Sequence, residues 1–183
     1  MGIPKGIIPA IRKMKCFEKA LESDSEWIIL LDTRLSQLPH LVKYCVRANK
    51  KTLVHFDLIK GLKADEYGLE FLIHEVKPDG ILSTRGNMIE LAKKNNLLAI
   101  QRIFLLDNIA FEQSMKQIEK HKPDLIEILP GLIPSVIKKI QENTDIPIIA
   151  GGLVTTEDEI NLALESGAIG ISTSDDELWN FET

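Results

Sequence analysis

Aromatic residues make up only 5% of this 183-residue chain, and cysteine occurs twice. Few aromatics means few platforms on which a reader of unpaired nucleic acid could stack bases. Cys16 and Cys45 lack metal-ligand spacing, and both fall in helical patterns, so they are expected as reduced packing residues of a cytoplasmic protein. No apolar run approaches the roughly 20 residues that cross a membrane. The opening MGIPKGIIPAIRKMK places its apolar run before its basic cluster, the wrong order for a signal peptide. Gly6 stands where a myristoylation signal starting at Gly2 wants Ser or Thr. A net charge of −5 argues against a broadly basic nucleic-acid surface, though not against a small basic patch. There is no GxGxxG fingerprint, no Ser–His or Cys–His arrangement and no reactive lysine within a strand pattern, so covalent catalysis has no candidate.

What the chain does have is a regular alternation of strand and helix signals. Its clearest stretch is Ile146 to Ser174, IPIIAGGLVTTEDEINLALESGAIGISTS. Ile146 to Ala150 reads as a parallel strand buried on both faces. Gly151 and Gly152 end it, and without Cβ atoms their backbone N–H groups can approach an anion. Thr155 or Thr156 caps a helix whose first turn carries Glu157, Asp158 and Glu159. Ile169 to Ser172 is a second strand, and Thr173 and Ser174 open the next turn. Two adjacent strand exits ending in GG and STS resemble the phosphate site after the seventh and eighth strands of a (β/α)8 barrel.

The other strands are expected at Gly6–Ile11, Trp27–Leu31, Thr52–Phe56, Ile81–Ser83, Leu97–Phe104 and Leu125–Leu129. Helices are expected between them: around Phe17 to Leu21, from Leu38 to a close at Lys50 and Lys51, and over Asp65–Val76 and Met88–Asn95. Two more are expected from a cap at Asp107 or Asn108 to about Lys120, and through Ile133 to Ile140. Asp175 to Phe181 is too short for more than a turn or two of final helix. Hydrophobic content of 44% against 27% charged fits a globular chain. With no linker or break in composition, the reading is one α/β domain over residues 1–183, a compact (β/α)8 barrel of TIM type with short helices. The length is short for that fold, which usually needs roughly 200 residues or more. A doubly wound sheet is the structural alternative, without its glycine-rich loop.

Polar residues gather at or within the C-terminal halves of these strands, where barrel sites are built. Gly151, Gly152, Thr173 and Ser174 are the phosphate candidates. His55, Asp57, Arg85, Gln101 and Glu127 are candidates for a polar pocket beside them. A buried Glu127 needs a cation or a donor, and Arg85 is one candidate partner. Arg102, next to Gln101, is expected to point outward between helices. His55, Asp57 and Glu127 could hold a divalent metal, but their spacing is not diagnostic, so no metal is assigned. His40, His74 and His121 are expected on the surface.

Seven segments carry a family resemblance. They are GIIPAIR (Gly6–Arg12), HFDLIKGL (His55–Leu62), DGILSTR (Asp79–Arg85), IQRIFLLD (Ile100–Asp107), PDLIEILPGLIP (Pro123–Pro134), IPIIAGGL (Ile146–Leu153) and ISTSDDELW (Ile171–Trp179). In this order, over nearly the whole chain, they resemble the glycerol-3-phosphate-responsive antiterminators, regulators of glycerol uptake operons. The resemblance implies a regulator without turnover. It implies glycerol 3-phosphate as effector, no cofactor, and leader mRNA as a partner protected from premature termination. Arg12, Lys60 and Arg85 are then candidates for RNA contact, and a homo-oligomer is left open. Two other readings use the same residues. One is an isomerase, aldolase or lyase acting on a phosphorylated sugar or polyol. The other is a metabolite sensor that works through a protein partner.

Overall fold

The computed structural model describes residues 2–181. Eight parallel strands close into a barrel in sequence order. They are β1 (Gly6–Ile11), β2 (Trp27–Leu30), β3 (Lys51–His55), β4 (Gly80–Ser83), β5 (Leu98–Phe104), β6 (Leu125–Leu129), β7 (Ile148–Gly151) and β8 (Gly170–Thr173). The intervening α-helices are α1 (Phe17–Glu22), α2 (Leu38–Arg47), α3 (Glu66–Phe71), α4 (Gly86–Lys94), α5 (Asn108–His121), α6 (Pro134–Gln141) and α7 (Glu157–Glu165). This is the expected (β/α)8 barrel.

Alternation along each strand builds two cores. Ile8, Ile29, Leu53, Leu82, Ile100, Leu125 and Ile149 fill the barrel interior. Ile7, Ile28, Val54, Ile81, Ala99, Ile126, Ile148 and Ile171 face the helices. Both faces are apolar because both are covered, so the strands read as continuous hydrophobic runs. The short length is met by strands of four to seven residues and helices as short as six.

Caps set several helix starts. Thr156 and Glu159 form a reciprocal capping box at α7, which decides between the two threonines. Asp107 accepts from the Ala110 N–H at 2.7 Å at α5, and Asp65 caps α3. Each such cap stabilises its helix by about 1 kcal/mol. Among the described residues no helix is long and apolar enough to cross a membrane.

Some boundaries differ from expectation. Lys51 opens β3 rather than closing α2, because Asn49 turns the chain at φ 57 and Lys51 then pairs with Glu26 at 2.6 Å. Phe56 leaves the strand for a single 3-10 turn over Phe56–Leu58 and buries its ring in the outer core. β7 starts two residues late and includes Gly151. The segment after β8 forms no helix among the described residues. It is held instead by the Trp179 indole, which donates to the Thr173 carbonyl at 2.9 Å, and by Lys19 to Asp176 at 2.9 Å. Cys45 is buried in α2 and burial pushes its thiol up to about 12, so it is inert packing; Cys16 is also free.

Candidate functional site

The site begins with a choice of face on β5. Leu98 and Ile100 point into the barrel, while Ala99 and Ile103 point at the helices. Arg102 therefore points inward and Gln101 outward, the reverse of the sequence expectation. Gln101 is buried against the helix layer, its Oε1 without a partner among the described residues, and it does not line the cleft at the mouth of the barrel.

Arg102 is the register partner of Glu127 on β6. Its Nε donates to Glu127 Oε2 at 2.5 Å. The Ser172 hydroxyl on β8 donates to Glu127 Oε1 at 2.6 Å. Glu127 is fully buried, and both of its oxygens are engaged. The cation is thus Arg102 and not Arg85. Gly151 completes this layer: a Cβ there would lie 2.3 Å from Ser172 Oγ and 3.1 Å from Glu127 Oε1. Its missing side chain makes room for the carboxylate–hydroxyl pair, a different role from the expected approach to an anion.

Above this layer lies a cleft of about 580 Å³. Arg12 lines it from the exit of β1, Arg102 and Phe104 from β5, Glu127 and Leu129 from β6, Gly152 to Thr155 from the β7 exit, and Ser172 to Asp175 from the β8 exit. Gly152 and Leu153 both take left-handed backbone, at φ 72 and 64. Among the described residues, no acceptor in a turn or loop takes up the N–H groups of Gly152, Leu153 or Ser174. Among the described residues Arg102 bonds Glu127 through Nε alone, and Arg102 lines the cleft. Arg12, Arg102, the Gly152, Leu153 and Ser174 backbone and the exposed Ser174 hydroxyl all line it, a set suited to a doubly charged oxyanion.

The remaining expected residues are placed elsewhere. Thr173 is buried. Its hydroxyl donates to the Val154 carbonyl at 3.1 Å and accepts from the Asp175 N–H at 3.1 Å. It staples the two exits together and has no proton left to offer a ligand. Asp57 accepts from Ser83 Oγ at 2.8 Å and from the Thr84 N–H at 2.7 Å, and Arg85 Nε stands 3.8 Å away. Arg85 also donates to the Ala64 carbonyl at 2.6 Å. These bonds tie the β3 and β4 exits to each other, outside the cleft. Lys60 pairs with Asp32 at 2.9 Å.

His55 points inward like Leu53 but is buried and does not line the cleft; its Nδ1 has no partner among the described residues. Burial, then the charge of Arg102, pushes its pKa down to about 4 against the pull of Asp57 and Glu127. It is neutral at neutral pH. Among the described residues no three His, Cys, Asp or Glu side chains could hold a metal ion. His121 is not on the surface: its ring packs over Gly86, where a Cβ would lie 2.0 Å from it, and it pairs with Glu90 at 2.6 Å. A groove of about 660 Å³ between α5 and the α6–β7 connection lies on the helix layer, away from the strand exits.

Arg102 and Ser172 are the two site residues that sequence reasoning missed. The signal for both is register. Arg102 is level with Glu127, and Ser172 is level with Gly151, which single-strand patterns do not show.

The family model described as "Glycerol-3-phosphate responsive antiterminator" matches residues 7–179. The chain is 46% identical to the glycerol uptake operon antiterminator regulatory protein of Listeria monocytogenes str. 4b F2365, with a TM-score of 0.94 and coverage of 97% of this chain and 96% of that one. A glycerol uptake operon antiterminator-related protein from Thermotoga maritima MSB8 is 32% identical, with a TM-score of 0.86 over 97% and 99% of the chains. The uncharacterized protein YgcP of Escherichia coli (strain K12) is 32% identical over 94% of this chain and 91% of that protein.

Proposed function

The chain belongs to the glycerol-3-phosphate responsive antiterminator family, and from that premise we propose that it is a glycerol-3-phosphate-sensing regulator of the cytoplasm that binds leader mRNA and prevents premature termination. The family is one of regulators, not enzymes. The observation that carries the reading is that the β7 and β8 exits open onto one cleft, together with Arg12 and Arg102.

In this reading the phosphate lies against the N–H groups of Gly152, Leu153 and Ser174 and the Ser174 hydroxyl. Arg12 supplies a neutralising charge. The glycerol end points down toward Arg102 and Glu127, where a carboxylate retains lone pairs for a hydroxyl donor. Gly151 and Thr173 act indirectly, by making room for the polar layer and by holding the two exits together. Arg12, a candidate RNA contact under the family resemblance, serves the effector as well.

Such a sensor works only if the ligand favours the RNA-competent arrangement of the loops. The test is a gel shift with the leader transcript of a glycerol uptake operon from the organism encoding this chain. Saturating glycerol 3-phosphate is expected to raise RNA affinity about tenfold, within the usual range of coupling between sites, and added salt to lower it. Incubation with glycerol 3-phosphate or triose phosphates, followed by NMR, is expected to yield no product. RNA affinity that is equal with and without ligand would refute the sensor, and turnover would favour the enzyme reading.

A further inference from the structure

The mouth of the barrel has two unlike banks. On the β1 side, Arg12, Lys13 and Lys15 are exposed, with Arg34 on the neighbouring β2 exit. None of these four is in an ion pair among the described residues. The other cations of this end are engaged: Lys60 with Asp32 at 2.9 Å, Lys63 with Asp65 at 3.1 Å, and Arg85 with Asp57 at 3.8 Å. Asp176, near Lys15, is bound by Lys19, and the acids that line the cleft itself are Asp175 and Glu127, the latter paired with Arg102. In a chain of net charge −5, four unpaired cations on two adjacent loops run against the overall balance.

The bank formed by the β5 and β7 exits is apolar. Phe104 is 49% exposed, Leu153 71% and Leu106 83%. Single exposed apolar side chains are ordinary. These three, however, line the same cleft as Arg12, and contiguous exposed apolar groups beside a polar site mark a binding surface.

Resting on the proposed function, we infer that this mouth is the RNA-contacting face. An unpaired RNA segment crosses the effector cleft, its phosphates held by Arg12, Lys13, Lys15 and Arg34 and its bases laid on Phe104, Leu106 and Leu153. An anionic polymer with exposed π faces matches both banks at once. A protein partner would match the apolar bank but not the unpaired cations. The placement also accounts for coupling, because the effector fills the floor between the banks and RNA lies over it. Linkage then requires RNA to tighten the effector by the same factor that the effector tightens RNA.

The test uses the full chain, the labelled leader transcript and a salt series, with glycerol 3-phosphate held above the saturation measured for each variant. Lys13→Gln with Lys15→Gln is expected to lower RNA affinity about tenfold and to reduce the log–log salt slope by about 1.4, since each single-strand phosphate contact adds about 0.7. Their effector affinity, read by calorimetry, is expected to be unchanged. Phe104→Ala is expected to lower RNA affinity at least about fivefold, as for loss of one stacked base, with the slope unchanged. Lys43→Gln with Lys94→Gln, on the helix layer, is the charge control and is expected to leave the affinity near that of the parent. Mouth variants that behave like the control would overturn the placement and leave the proposed function standing. A change in self-association alone would make the apolar bank a protein surface and overturn it too. If the unaltered, ligand-saturated chain binds no leader RNA, the functional reading fails first and this one with it.

Discussion

Replacing Glu127 by alanine is expected to lower the thermal unfolding midpoint by on the order of 10 °C. Arg102 would keep a buried guanidinium without its carboxylate, and the Ser172 hydroxyl would lose its acceptor. Breaking a buried ion pair by removing one partner costs about 3–5 kcal/mol, because the remaining charge is uncompensated. For a chain of this size 1 kcal/mol corresponds to about 2–4 °C. Circular dichroism melting measures the shift. Replacing both partners, Arg102→Met with Glu127→Leu, is expected to recover most of the loss, since an apolar pair of similar volume avoids the desolvation of two charges. The double variant should fold and yet fail to bind glycerol 3-phosphate, which would identify ligand binding rather than stability as what the pair supplies. A midpoint change below about 2 °C for Glu127→Ala would mean that the pair is solvated.

Gly152→Val is expected to weaken glycerol 3-phosphate binding at least about 100-fold while the chain still folds. Gly152 sits at φ 72, and a Cβ there would meet Leu129 Cδ2 at 3.2 Å. Left-handed backbone costs an ordinary L-residue about 1–2 kcal/mol, and a β-branched one is less tolerant still. The loop should therefore rotate, and its N–H groups would swing away from the anion. A hydrogen bond to a charged group contributes about 1.5–3 kcal/mol, so losing two accounts for the factor. Gly152→Ala should fall between the parent and the valine variant. Calorimetric titration checks both, and an unchanged dissociation constant would remove this turn from the site.

The architecture was legible because a parallel barrel buries every strand on both faces. Runs such as Ile148 to Ala150 are short, apolar and bounded by turn residues, and the acids and threonines before α7 announce its start. The same property hides which face is which. On β5, Leu98 and Ile100 on one side and Ala99 and Ile103 on the other are equally apolar, so nothing local says whether Gln101 or Arg102 enters the barrel. Register decides it, by setting Arg102 level with Glu127. The two glycines pose a similar ambiguity: Gly151 lacks a side chain because Ser172 and Glu127 occupy the space, whereas Gly152 needs its left-handed turn. Thr173 looked like a phosphate ligand because it sits in a hydroxyl-rich turn, but its side chain points back to Val154. His55 and Asp57 have the alternation expected of a shared face, yet the chain turns out of the strand at Phe56 and separates them.

The most direct measurement follows the backbone amide resonances of the ¹⁵N-labelled chain during titration with glycerol 3-phosphate. A phosphate seated between the seventh and eighth strand exits predicts saturable shifts that are largest at Gly152, Leu153 and Ser174, with smaller ones at Arg12 and Arg102. Shifts confined to the helix-layer groove around Met115 and Asn143, or no saturable shift at those three amides, would contradict it.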